Sequence, residues 1–431
     1  MSYNLTIKTV IWLYNLVWGI AIPLLRINKR LAEGFEQRTL QHQMTTKADL
    51  WIQAASAGES YLAWSLLKNL SPELPIRVLV TSNTSQGLEI LKRAIDDTTP
   101  NNRGIKVNLA YFPFDKPGIM KKAVKIICPK VMVLLESEIW PGLLIALKNY
   151  RCKTLIINGR LTSKSLKKYL IWSSFWNTLR PDKILAISEN DAKRFGKLFC
   201  IDHVEVMQNI KFDRINQTEP ETSSKNPLKQ IFQPDTPFLV LGSIRREEES
   251  FVKRIIVDIY QKQPETVIGL FPRHMHRIKY WKGALKRLSI PWELRSKTKK
   301  HVHYGTILLW DTFGELTFAY GLAKAAFVGG SLVPLGGQNF LEALTTGIIP
   351  VIGPYWENFA WVGREIIDHG LLREAADWRE VSAILVENIK RPQSRKKVCK
   401  EALKYIKDRQ GGTTRACHII NHFLRAAKQN N

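Results

Sequence analysis

Three glutamates stand where this chain could use them to move a proton. Glu59 closes the run Trp51-Ile-Gln-Ala-Ala-Ser56-Ala-Gly58-Glu59, in which a short apolar stretch breaks into small residues ahead of a helix-like segment. That pattern predicts a strand, a tight turn and a helix start. Gly58 lets the backbone pass close to a ligand without a Cβ in the way, and the helix N-terminus offers free N–H groups and the positive end of a dipole. A carboxylate there is expected to stay ionised and to serve as a general base toward a hydroxyl. Taken alone, the segment favours a plainer reading, an acidic residue stabilising a first helical turn. Glu136 and Glu138 follow the apolar run Val133-Leu-Leu two residues apart. If extended, they share a face and suit acid–base work; the acidic first turn of a helix explains them equally well.

The second set of chemistry-bearing residues is cationic or Gly-rich. Pro272-Arg273-His274 follows the apolar run Val267–Phe271, and the planar fork of Arg273 gives a phosphate two charge-assisted bonds. The run Phe327-Val-Gly-Gly-Ser-Leu-Val-Pro-Leu-Gly336-Gly337-Gln338-Asn339-Phe-Leu-Glu342-Ala reads as a buried strand, a Gly-rich loop and a helix opened by Asn339. Backbone N–H groups of such a loop cradle phosphate, and Glu342 can accept hydrogen bonds from ribose hydroxyls. Asp311-Thr-Phe-Gly314-Glu315 upstream and Gly353-Pro354 after the next strand complete a nucleotide-sugar pattern. A metal is not expected. The pairs His274/His276, His301/His303 and His418/His422 have no third ligand at a useful spacing, and no Asp-x-Asp stands near Glu136 to hold a divalent cation.

Positioning these residues requires alternating strands and helices. Leu50–Ala54, Ile76–Thr81, Lys106–Ala110, Val131–Leu135, Thr154–Ile157 and Lys183–Ile187 are each followed by a polar turn and a periodic stretch, as a doubly wound parallel sheet requires. Ser56 to Glu59, Glu136 to Glu138 and Asn158-Gly-Arg160 all fall at carboxyl ends of these strands, where such sheets bind ligands. A second set runs through Phe238–Gly242, Val267–Phe271, Thr306–Trp310, Ala325–Val328 and Ile349–Ile352, and residues 378–426 read as helices. A length of 431 residues suits two domains. The expected division is an apolar segment at 1–30, a first Rossmann-like domain at 31–212, a polar linker at 213–235, a second Rossmann-like domain at 236–390 and C-terminal helices at 391–431.

Charge and apolar patterning bound the partners. Sixty-four Lys and Arg against 38 Asp and Glu leave +26, which attracts polyanions: nucleic acid, an anionic membrane or a phosphorylated substrate. The five cysteines are odd in number, scattered and without a Cys-x-x-Cys pair, so they read as reduced thiols in a cytoplasmic body. Between Lys8 and Arg26 lie 17 uncharged residues, Thr9 to Leu25, rich in Trp, Leu, Val and Ile. That is marginal against the about 20 needed to span a bilayer, so a short anchor and an interfacial helix both fit. Arg26, Lys29 and Arg30 after the run, against Lys8 before it, place the body on the cytoplasmic side. No small-residue cleavage pattern follows, so the segment is not expected to be removed.

These motifs together resemble the 3-deoxy-D-manno-octulosonic acid (Kdo) transferases of lipopolysaccharide assembly, and the resemblance spans nearly the whole chain. It is carried by the apolar N-terminus, Ser56-Ala-Gly58-Glu59, Phe112-Pro-Phe-Asp115, Glu136-Ser-Glu138-Ile-Trp-Pro141, Asn158-Gly-Arg160-Leu, Asn209-Ile-Lys211-Phe-Asp213, Gly242-Ser243, Pro272-Arg273-His274, Asp311-Thr-Phe-Gly314-Glu315-Leu316 and Gly329-Gly-Ser through Gly336-Gly337-Gln-Asn339 to Glu342-Ala. The chain departs from the pattern at Ala57, Gln208, Gln338 and the Ile244-Arg245-Arg246-Glu247 segment. The resemblance implies an α/β GT-B fold, two Rossmann-like doubly wound domains facing a cleft behind an N-terminal membrane anchor, and a metal-independent, inverting transfer without a cofactor. It makes Glu59 the base and places Glu136 near the reacting centre. CMP is then held by Pro272, Arg273 and His274, by Gly314 and Glu315, and by Asn339 and Glu342. Ser56, Gly58, Arg160, Lys211, Ser243, Gly336 and Gly337 are further substrate or CMP contacts.

The implied reaction moves Kdo from CMP-Kdo to a lipid A precursor (lipid IVA) at the cytoplasmic face of the inner membrane. The basic charge suits a phosphorylated lipid on an anionic leaflet. Two alternatives are a GT-B transferase using another nucleotide sugar and a basic nucleic-acid-binding protein. The last has no recognisable binding motif here and leaves the apolar N-terminus unexplained, so nucleic acid is not an expected partner.

Overall fold

The computed structural model of the chain describes residues 5–41, 47–98, 104–215, 226–299 and 301–429. It divides into two units, one of residues 1–215 with 409–431 and one of residues 216–408. The centre of the expected linker, residues 216–225, lies outside the described residues. Its flanks are structured: Ile210–Asp213 is a short helix in the first unit, and Asn226 in the second donates through Nδ2 to the Phe318 carbonyl at 2.8 Å.

The first unit is built on β1 (Leu50–Ala54), β2 (Ile76–Ser82), β3 (Ile105–Tyr111), β4 (Val131–Leu135), β5 (Lys153–Gly159), β6 (Lys183–Ala186) and β7 (Glu205–Val206), in the order β3-β2-β1-β4-β5-β6-β7. Every pairing is parallel. Strands buried on both faces must be apolar throughout, as Val131-Met-Val-Leu-Leu135 is. Their faces fill two core layers, one around Trp51, Met132 and Phe195, the other around Ile52, Val133 and Leu155.

The second unit repeats the plan with β8 (Phe238–Ile244), β9 (Val267–Pro272), β10 (Trp292–Leu294), β11 (Ile307–Leu309), β12 (Ala325–Val328), β13 (Val351–Ile352) and β14 (Arg373–Glu374), ordered β10-β11-β9-β8-β12-β13-β14. Three strands were not expected from sequence: β7, β10 and β14. All are two or three residues long and lie at sheet edges, too short to show periodicity.

In each sheet the connections diverge at one place, between β1 and β4 and between β8 and β12. A crevice opens there past the carboxyl ends of the strands. Near both crevices the parallel ladder loses register, between Ile156 and Gly159 on β5 and between Leu241 and Ile244 on β8. Asn158 and Ser243 sit in those irregularities with φ of 58° and 56°. L-residues adopt that conformation only where the surroundings enforce it.

Two helices connect distant parts of the first unit. Gly412–Gln429 packs on the helix Ala57–Asn69. Its start is fixed by Asp213, which accepts from Gly411 N at 2.7 Å and from Thr413 N and Oγ1 at 2.6 Å each. The N-terminal helix Leu5–Leu25 is long and apolar enough to cross a membrane. It nonetheless packs on the unit: Tyr14 donates to Asp115 Oδ2 at 2.7 Å, and the Trp18 ring lies 5.8 Å from that of Phe114.

Candidate active site

In the first unit the helix Ala57–Asn69 begins directly after β1, with Ser56 as its N-cap. The Glu59 carboxylate folds back over this start. Its Oε2 accepts from Ala55 N at 2.6 Å and its Oε1 from Ser56 Oγ at 3.3 Å, while Glu59 N donates to Ser56 Oγ at 3.3 Å. Such reciprocal capping holds the side chain in one place. Gly58 is not demanded by the fold, since a Cβ there would meet only Ser56 Oγ, at 3.7 Å.

The expectation that Glu59 stays ionised is corrected. Burial, with Glu138 and Glu136 nearby, pushes its carboxyl up to about 8 against the bonds from Ala55 and Ser56. Burial also pushes Glu138 up to about 7, against hydrogen bonds from Trp140 and Gln53 and with Glu136 adding to the rise. The cluster therefore holds protons that an exposed cluster would release.

The shared extended face expected for Glu136 and Glu138 does not form. Glu136 adopts φ 54° and the chain turns toward the helix Pro141–Asn149. The turn sends the two carboxylates to different partners. Glu136 Oε1 pairs with Lys211 Nζ at 2.6 Å, and Glu138 Oε2 accepts from Trp140 Nε1 at 2.6 Å. Lys211 is brought there by Asn158, whose Oδ1 accepts from Ile210 N at 2.9 Å, and by Asn209, which caps the short helix carrying it. Arg160 joins through its backbone N–H, 3.3 Å from the Glu136 carbonyl. Ser56, Gly58, Glu59, Glu136, Arg160 and Lys211 thus share the crevice region at β1, β4 and β5. Asn158 Nδ2 is buried there without a partner among the described residues.

Sequence reading offered Glu138 only as the partner of Glu136 in an acid–base pair, and it assigned Asp115 no role. Asp115 is buried, caps the helix Pro141–Asn149 through Gly142 N and Leu143 N at 2.8 and 2.7 Å, and holds Tyr14. Burial pushes it up to about 7 against those three bonds. The Phe112-Pro-Phe-Asp115 motif was the available signal.

In the second unit, Ser243 is the penultimate residue of β8 and Pro272 ends β9, so Arg273 and His274 emerge beside the β8/β12 crevice. Arg273 is exposed and donates through Nε to Gln338 Oε1 at 3.2 Å. Slight desolvation, with Arg245 and Arg273 beside it, holds His274 below the usual histidine range. Gly336 and Gly337 have φ of 84° and 78°; a Cβ on Gly336 would strike Asn358 at 2.4 Å, so the loop needs glycine there. The loop is anchored from beneath by Glu248, which is fully buried. Its Oε1 accepts from Gly330 N at 2.6 Å and Arg245 N at 2.9 Å. Glu248 was missed because it sits in Glu247-Glu-Glu249, which reads as a solvated charge run.

Asn339 does not open a helix. The helix is Leu341–Thr345, capped by Phe340, because the buried Phe340 ring packs on Trp356 and Phe359 and fixes where the turn begins; Asn339 is left exposed in the loop. Glu342 accepts from Thr317 Oγ1, which ties it to the segment after Gly314 and Glu315. Glu315 is fully engaged by Arg295 Nη2 at 2.9 Å, Trp310 Nε1 at 2.8 Å and Thr312 Oγ1 at 2.6 Å. It shapes the loop rather than offering free acceptors. Cavities of about 670 and 1030 Å³ elsewhere open at the amino ends of the strands, and none of these residues lines them.

Two Rossmann-like parallel sheets, each with a polar site at its switch point, give the chain the GT-B fold. The whole fold is shared with the UDP-GlcNAc 2-epimerase of Neisseria meningitidis (TM-score 0.54, 13% identity, 88% of this chain and 99% of that one) and with HepE of Anabaena (TM-score 0.52, 14%, 89% and 100%). By sequence the chain is similar to the Kdo transferases: residues 26–214 match the family described as 3-deoxy-D-manno-octulosonic-acid transferase (kdotransferase). A 3-deoxy-D-manno-octulosonic acid transferase of Haemophilus influenzae is 26% identical over 385 residues, 87% of each chain, and one of Bordetella pertussis 27% identical over 391 residues, 88% of each. A bifunctional glycosyltransferase/methyltransferase of Fusobacterium nucleatum is 27% identical over 371 residues, and there the match spans 82% of this chain but 55% of the longer relative.

Proposed function

We propose that the protein transfers Kdo from CMP-Kdo to a hydroxyl of the lipid A precursor lipid IVA, with inversion, at the cytoplasmic face of the inner membrane. The observation that carries this reading is Glu59, a carboxylate fixed at the β1 switch-point crevice and made unusually basic by burial and by Glu138 and Glu136, in a chain that resembles Kdo transferases. A base whose affinity for protons lies near neutral pH is well matched to deprotonating a hydroxyl. The acceptor oxygen would bond to the anomeric carbon as the bond to the CMP phosphate oxygen breaks, the hydroxyl proton passing to Glu59. The Lys211–Glu136 pair would orient the sugar near this centre.

On the donor side, Arg273 and the N–H groups of the Gly336-Gly337 loop would take up the charge that develops on departing CMP. His274, Ser243, Gly314, Asn339 and Glu342 would complete the nucleotide contacts. Arg273→Ala is expected to weaken CMP binding by about 1.5–3 kcal/mol, the range for a hydrogen bond to a charged group. Isothermal titration with CMP measures it, and unchanged affinity would return Arg273 to a structural role.

The test of the whole reading is incubation of the full-length enzyme with CMP-Kdo and a tetra-acylated lipid A precursor, followed by mass spectrometry. A mass gain of one or more Kdo units is expected. Transfer from a UDP- or GDP-sugar instead would overturn the donor assignment.

The apolar N-terminus would hold the enzyme at its lipid substrate, and it is also part of the fold. Removing residues 1–26 should release the protein from membranes and lower its melting temperature, since Asp115 loses Tyr14 and Phe114 is uncovered. Tyr14→Phe isolates the first effect. The Tyr14 bond favours ionised Asp115, whose folded-state carboxyl lies near 7. Its loss should therefore cost little at acidic pH, where Asp115 is protonated in either variant, and more as the pH rises above about 7. Thermal melts at several pH values check this.

A further inference from the structure

The apolar N-terminal helix does not stand clear of the first unit. Val10, Ile11, Tyr14 and Trp18 recur at helical spacing along one stripe. Val10 and Ile11 join the core, Tyr14 bonds Asp115, and Trp18 packs on Phe114. Farther along, a Cβ at Gly19 would come within 3.9 Å of Lys116 Nζ, and past the helix end the Arg26 guanidinium lies 5.7 Å from the Phe35 ring centre. A helix held against a folded domain over this length has too few turns left to cross about 30 Å of hydrocarbon alone. Its outer face is nevertheless built for lipid: Trp12, Val17, Ile20 and Leu24 are each 60–63% exposed.

A second apolar element lies next to it. Tyr169 packs against the first unit's core within electrostatic reach of both Tyr14 and Glu138, and in the turn that follows, Ile171 is 74% and Trp172 47% exposed. The surrounding surface carries one sign of charge. Lys164, Lys167 and Lys168 are exposed before the turn, and Lys121, Lys122 and Lys125 are exposed on the helix Pro117–Ile127, against which the N-terminal helix packs. Neither residues 116–130 nor 160–181 contain an Asp or Glu.

We propose that the first unit seats on an anionic bilayer as a monotopic body, with the N-terminal helix lying in the plane of one leaflet and Ile171 and Trp172 entering that leaflet beside it. Apolar side chains at interfacial depth ringed by lysines are the signature of such seating. The inference rests on the membrane location in the proposed function and names its geometry. Because Tyr169 lies within electrostatic reach of Glu138, this seating puts the bilayer surface on the side of the carboxylate cluster, and a lipid acceptor needs to present only its headgroup.

The test reads topology and lipid contact without reading transfer, so its failure is distinct from failure of the Kdo assignment. In inverted inner-membrane vesicles, an epitope added ahead of Met1 on the full-length protein is expected to be accessible from the same side as the body. With a lipid-borne carbene probe in vesicles containing phosphatidylglycerol, peptides covering 12–24 and 170–173 should both be labelled. Ile171→Ser with Trp172→Ser should abolish the second label while the melting temperature holds. Charge reversal at Lys164, Lys167 and Lys168 should lower partitioning to anionic vesicles about tenfold and leave neutral vesicles unaffected. An epitope reached only from the opposite side, or labelling of 12–24 without 170–173 in the parent protein, would overturn the proposal.

Discussion

Glu59→Gln should leave a folded protein with ordinary CMP affinity and almost no Kdo transfer. Glutamine keeps one acceptor oxygen for Ala55 N and can donate its amide N–H to Ser56 Oγ, but it takes no proton, and loss of a general base costs about 10²–10⁴-fold in rate. If Glu59 only stabilised its helix, the substitution would remove a dipole interaction of about 0.3–1 kcal/mol and leave turnover near normal. The raised carboxyl adds two signatures. Parental activity should climb with pH up to about 8, as Glu59 deprotonates. Stability should move the other way: a carboxyl at 4.5 when unfolded and about 8 when folded holds a proton in the native state that the unfolded chain has released, so it disfavours folding increasingly between those values. Glu59→Gln removes that penalty. Its melting temperature should match or exceed the parent near neutral pH, with the difference vanishing toward pH 4.5. Near-normal turnover in this variant would shift attention to Glu138 and Glu136, the neighbouring carboxylates.

Glu248→Ala should be the most damaging single change in the second unit. It deletes a fully buried carboxylate and leaves Gly330 N and Arg245 N without their acceptor. Each buried donor left unsatisfied costs about 1–3 kcal/mol, so calorimetry should show a clear loss of stability. CMP affinity should fall at least about tenfold, or 1.4 kcal/mol, because the Gly-rich loop loses the support that aims its N–H groups. Glu248→Gln keeps one acceptor and should recover part of the stability. A folded Glu248→Ala protein that binds CMP normally would show that this loop does not hold the nucleotide.

Where a strand was long and buried on both faces, its composition declared it: Leu50–Ala54, Val131–Leu135 and Ala325–Val328 have the limits read from sequence. The edge strands at Glu205, Trp292 and Arg373 were invisible because two or three residues carry no period. The site was legible as a set of segments but not as electrostatics. Nothing in Ser56-Ala-Gly-Glu59 says that its carboxylate is buried, for that depends on β2 and β4 flanking β1. Nor does Glu247-Glu-Glu249 announce that its middle residue faces inward under a loop more than 80 positions away. Glu136 and Glu138 were mispaired for a local reason. A left-handed residue at Glu136 cannot be read from an alternation that presumes an extended chain.

The helix Gly412–Gln429 belongs to the first unit, although residues 216–408 form the second. Ala416, Cys417, Ile420 and Leu424 are buried in the same core layer as Ile52 and Val133. As the chain is synthesised, the second unit is complete in sequence before the first has received its last structural piece. The usual N-to-C order of domain folding is therefore inverted here. The sheet bearing Glu59 waits with one face only partly covered, by residues such as Leu62, Leu66 and Leu91, while the second unit is already whole. A nascent chain is thus unable to assemble its carboxylate site early. Catalytic competence arrives only when residues past 412 close over the strands made first.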